Sequence, residues 1–121
     1  MASIFDTEDI LITHKFIESN GFQYDFVNNR FKAIYLCYRP MESQMSSTVW
    51  YSTVPANIYI NRDHNRNDWE IKVQYPIYDE YNDMCVRSKK YKHIAHISTE
   101  FEFKLAWKEV VNFCDNLYKQ H

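Results

Sequence analysis

Three observations predict an α+β fold: a strand with clean period-two alternation, two capped amphipathic helices near the ends, and an aromatic share of 17%. The strand is DWEIKVQY, where Trp69, Ile71, Val73 and Tyr75 point one way and Glu70, Lys72 and Gln74 the other. Such alternation makes one buried and one wet face. The chain of 121 residues is 45% hydrophobic, enough apolar surface to offset chain entropy and to fill the core of one domain, 1–121. The expected architecture is an antiparallel sheet of about five to seven strands, flanked by an N-terminal and a C-terminal helix.

The first helix is expected from Asp6 or Thr7, whose side chains can cap free N–H groups, through ILITHKFIES to Asn20-Gly21. Gly21 suits the left-handed position beyond a helix end. Ile10, Thr13, Phe16 and Ile17 would share its core face. FQYDF and FKAIYLCYR then read as a hairpin, turned at Val27-Asn28-Asn29-Arg30, because asparagine tolerates positive φ. Pro40 is expected to end that strand and Pro55 the next, STVWYSTV. NIYIN and DWEIKVQY follow across the polar turn RDHNRND, and Pro76 closes the latter. Beyond the loop IYDEYND, MCVRS and YKHIAHIS read as another hairpin. Thr99 with Glu102 makes a capping box for the last helix, whose apolar stripe is Phe103, Ala106, Trp107, Val110, Cys114 and Leu117.

Composition excludes several classes of function. The single glycine, Gly21, leaves no phosphate-cradling loop, dinucleotide fingerprint or nucleophile elbow. Cys37, Cys85 and Cys114 form no CxxC pair. They are expected to be buried thiols in a reducing compartment, not a disulfide frame or zinc knuckle. No signal or membrane-spanning segment can be drawn, so a soluble cytoplasmic protein without membrane contact is expected. Net charge is −2 and the pI near 6.2, which gives no global pull toward nucleic acid.

The densest cationic stretch is RSKKYKHIAH, with Arg87, Lys89, Lys90, Tyr91 and Lys92 as candidate anion or nucleic-acid contacts. A solvated, protected sheet edge is the stronger reading, because Asp79, Glu80 and Asp83 nearly balance it. In a regular strand His93 and His96 face opposite sides, with His93 half-buried and His96 solvated. They could share a metal only across a bulge. No metal-ligand or catalytic spacing occurs, and neither cofactor, metal nor enzymatic activity is expected. The acidic loop around Tyr78 and Tyr81 and the region holding Met41, Met45, Trp50 and Tyr51 combine adaptable and aromatic side chains. That mixture is common at protein interfaces.

Phe16 to Phe22 (FIESNGF), the tyrosine-rich strands and Asn116-Leu117-Tyr118 in the final helix are similar to uncharacterised small proteins of phages and mobile elements of Bacteroides-type bacteria. The resemblance implies a mobile-element origin, and residues 39–66 depart from it. The expected function is a non-enzymatic binding protein, a phage-encoded inhibitor of a host or defence protein that acts by protein contact. The alternative is nucleic-acid or nucleotide binding through 87–92. An edge strand is also available to pair two copies into a homodimer.

Overall fold

A computed structural model describes residues 10–42, 49–79, 84–86 and 90–118, with the backbone alone at 39–42, 49–52, 78–79 and 84–86. The elements run α1 (His14–Ser19), β1 (Gln23–Asp25), β2 (Arg30–Glu42), β3 (Val49–Asp63), β4 (Asp68–Gln74), β5 (Ile77–Asp79), β6 (Met84–Val86), β7 (Tyr91–Ile97) and α2 (Glu100–Asn116). Five strands form an antiparallel sheet in the order β1-β2-β3-β4-β7, and β5 pairs with β6 in a separate two-stranded ribbon. The α+β expectation holds, with five strands in the main sheet.

Both helices pack on one face of that sheet. Phe31 and Cys37 of β2, Val54, Ala56, Ile58 and Ile60 of β3, and Trp69, Ile71 and Val73 of β4 are buried there. Ile17, Phe103, Ala106, Val110 and Cys114 close over them. The capping box forms as expected: Glu102 N–H donates to Thr99 Oγ1 at 3.2 Å, and Thr99 N–H donates to Glu102 Oε1 at 3.2 Å.

Helix α1 starts later than the sequence suggests. Thr13, read as a core position, is the cap and accepts from Phe16 N–H at 3.1 Å. Ile10 to Ile12 instead run extended, and Ile12 N–H donates to Ser98 O at 2.9 Å. β-branched side chains favour that extended backbone. The proposed start at Asp6 or Thr7 lies outside the described residues. Gly21 takes φ +90° and Asn29 φ 55°, as their turn roles require.

Neither proline stops its strand. β2 runs on to Glu42 with Pro40 opposite Tyr51, and β3 passes through Pro55 opposite Leu36. β1 covers β2 only at Arg30–Lys32, and β4 covers β3 only at Asn57–Asp63. Beyond those limits β2 and β3 form a two-stranded arm, where a missing N–H facing away from the partner strand breaks no ladder bond. A second correction concerns MCVRS: Met84–Val86 pairs with Ile77–Asp79, while β7 pairs with β4. No helix among the described residues is long and apolar enough to cross a membrane.

Candidate functional site

The arm has two unlike faces. On the inner face Cys37 and Val54 are buried and Tyr35 is half-buried, its phenol donating to Asp115 of α2 at 2.8 Å. Cys37 and Cys114 are buried against each other, and the Cys114 thiol is pushed up by its hydrogen bond with Cys37 and by burial. These are structural thiols, too enclosed to attack a substrate.

On the outer face of β2 the alternate positions Ile34, Leu36 and Tyr38 are 62%, 51% and 59% exposed. Opposite them on β3, Thr53 and Pro55 are exposed too. Ile34 also lines a groove of about 510 Å³ shared with Gly21, Gln23, Tyr24, Asp25, Lys32 and Ala33. The groove lies where β1 ends and the edge of β2 opens. Among the described residues no strand pairs with that side of β2 beyond Lys32. Unpaired N–H and C=O groups beside apolar side chains make a template for another strand.

Reading the strand as FKAIYLCYR could have found this strip. Both parities are apolar there, as in a strand covered on both faces, yet the described helices cover only one. Of the residues named from sequence, Met41 lies opposite Trp50 and Pro40 opposite Tyr51 toward the far end of the arm. The arm therefore carries Met41, Trp50 and Tyr51 on the same ribbon as the exposed strip. Tyr78 sits opposite Cys85 in the β5–β6 ribbon, away from that register. Met45, Tyr81, Arg87 and Lys89 lie outside the described residues.

Of the cationic stretch, Lys90, Tyr91 and Lys92 are described. Tyr91 packs on the outer face, 6.2 Å from the Tyr59 ring and 4.9 Å from Lys72 Nζ, whereas Lys92 is opposite the inward-facing Val73. Tyr91 and Lys92 thus fall on opposite faces of β7. Elsewhere a cleft of about 490 Å³ is lined by Arg30, Arg62, His14 and His64 with Tyr24, Phe31 and Trp69, and among the described residues no carboxylate lines it. Arg30 lies 3.7 Å over the Tyr59 ring, and its buried Nε has no hydrogen-bond partner among the described residues. The His14 ring packs within 5.5 Å of Trp69 and 5.1 Å of Phe31.

Comparison with family models, curated proteins and solved structures returns no match to this chain.

Proposed function

We propose that this chain is a binding protein that engages a partner protein by strand addition at the open edge of β2, with Ile34, Leu36 and Tyr38 as the apolar contacts. One observation carries the reading: among the described strands, the longest edge without a neighbour is lined by apolar side chains more than half exposed. Left bare, such an edge invites aggregation, so a chain that keeps it has a use for it. Main-chain bonds along the edge would supply affinity and the alternate side chains specificity. Tyr51, opposite Pro40 and in the same alternation as Thr53 and Pro55, would extend the same contact along the arm. Inhibition of a host or defence protein by a mobile-element product fits this mode of action, since blocking needs a surface and no chemistry.

The test is capture of partner from a bacterial host lysate by the wild-type chain and by an Ile34→Lys/Leu36→Lys variant. Amide exchange at 33–38 is followed with and without partner. Lysine on the edge is expected to weaken capture by roughly 100-fold or more, because it removes apolar contact and blocks edge pairing. The amides of 33–38 should become protected on binding. A partner retained equally by the variant overturns the reading. A molar mass of two chains in solution that reverts in the variant would name a second copy as the occupant.

A second reading rests on the cleft where Arg62 lies over Trp69, which suits an anionic ligand with a planar group, such as a nucleotide. The same experiment separates the two. Nucleotide binding would survive the β2 variant, fall steeply with salt and be lost in Arg62→Ala.

A further inference from the structure

Strand β7 is not regular. Ile71 pairs with Ala95 but Lys72 pairs with His93, so Ile94 is an extra residue opposite the Ile71–Lys72 step. The parity of the strand therefore changes between the two histidines. His93, opposite Lys72, and His96, opposite Glu70, both reach the outer face, with ring centroids 4.9 Å apart. The expected burial is also reversed: the His93 side chain is 50% exposed and that of His96 21%. Bulges of this kind re-aim side chains beside functional sites.

Around the two rings the sheet places carboxylates. Glu70 Oε2 lies 3.2 Å from His93 Nδ1, and Asp68 Oδ1 lies 3.2 Å from His96 Nδ1. Ligand atoms of Glu70, His93 and His96 all fall within 4.8 Å of one another. A zinc ion with bonds of about 2.1 Å holds tetrahedral ligands about 3.4 Å apart. The Glu70–His93 pair already has that spacing, and the other separations lie within 4.8 Å.

A second grouping, Asp63, Asp68 and His96, also meets the distance. Its carboxylates have other work. Asp63 Oδ1 accepts from the N–H groups of Asn65 and Arg66 in the β3–β4 turn, each at 3.1 Å, and Asp68 Oδ2 pairs with Arg66 Nε at 3.1 Å. Asp68 is better placed behind His96 than in front of a metal. A proton on His96 Nδ1, donated to Asp68, leaves the Nε2 lone pair for an ion. That is the carboxylate–histidine–metal arrangement which fixes the tautomer of a ligating imidazole.

We propose that Glu70, His93 and His96 form a binding site for a divalent transition metal of the zinc class, with Asp68 positioning His96 from behind. Two imidazoles and one carboxylate suit zinc, cobalt or iron better than calcium or magnesium, which prefer all-oxygen shells. The three ligands come from β4 and β7, so the ion would clasp the outermost strand of the sheet to its neighbour. A fourth position would be left for water or for a group from a partner.

Calorimetric titration of the full chain with Zn(II) alone, and the visible spectrum with Co(II) alone, test the site. One ion per chain and the absorption of a tetrahedral or five-coordinate Co(II) centre are expected. His93→Gln and Glu70→Gln, both at solvent-accessible side chains, should weaken binding at least ~100-fold, and Asp68→Asn by roughly 10–100-fold. His64→Gln should leave affinity unchanged. Should a variant fail to fold, ring-nitrogen shifts of His93 and His96 in the wild-type chain on Zn(II) addition decide the matter. Absence of saturable binding, unchanged affinity in His93→Gln, or unshifted ring nitrogens overturns the proposal.

Discussion

The two margins of the main sheet are built in opposite ways. At β7 the margin is short, interrupted at Ile94 and dressed with Lys92 and His93. Each of those features discourages a foreign strand. At β2 the margin is long and carries Ile34, Leu36 and Tyr38 on the face that neither described helix covers. A sequence able to guard one margin has left the other open. The contrast teaches more than either margin alone, because a sheet that only needed to stay soluble would guard both.

The largest effect expected comes from comparing one chemical change on the two sides. Ile71→Ala removes a side chain with no solvent exposure from the sheet core, and should cost about 2–5 kcal/mol in urea unfolding. Ile34→Ala removes the same atoms from a side chain 62% exposed, and should stay within about 0.5 kcal/mol. A cost at position 34 close to that at 71 would mean that the β2 strip is covered in the free chain, and the contrast between margins would collapse.

Reversing the guard is the next step. Lys92→Ile places a β-branched apolar side chain on the β7 margin and removes an exposed cation. Light scattering should then show association that grows with concentration, a rise of at least about twofold in apparent mass if the lysine is what keeps that margin single. The bulge at Ile94 persists in the variant and should limit the association below that of a flat edge. An unchanged mass at high concentration would assign the protection to the bulge alone.

How much of this was legible depends on how local each cause is. The capping box at Thr99 and the alternation around Ile71 are written in neighbouring residues, and both were read correctly. Thr13 reads as a core position because Ile10, Thr13, Phe16 and Ile17 have the spacing of a helix face, while the extended form of Ile10 to Ile12 depends on Ser98 far along the chain. Pro40 and Pro55 signal strand ends only where a ladder bond would be lost, and sequence does not say which flanks lack a neighbour. β7 finds β4 across the intervening β5–β6 ribbon, a pairing no short spacing encodes. The extra residue at Ile94 has neither glycine nor proline to mark it, so the meeting of His93 with His96 was foreseen only as a condition. The apolar strip was visible in FKAIYLCYR, but its meaning required knowing which face the helices leave bare.

The smallest effect concerns how firmly the open margin is held from behind. Burial, then the hydrogen bond to Asp115 and that carboxylate's charge, push the Tyr35 phenol from 10.0 up to about 12. The fold thus favours the neutral phenol. Its contribution is fully present below pH 10 and is lost as pH rises from 10 toward 12. Tyr35→Phe should cost on the order of 1 kcal/mol at pH 8, a typical net value for a hydrogen bond. The difference between wild type and variant should then shrink by pH 11, since only the wild type has a phenol to ionise. Urea midpoints at the two pH values measure it. A gap that stays constant would place the phenol in solvent, freeing the inner face of β2 from α2. The open edge would then be a loose flap and not the rigid template that strand addition requires.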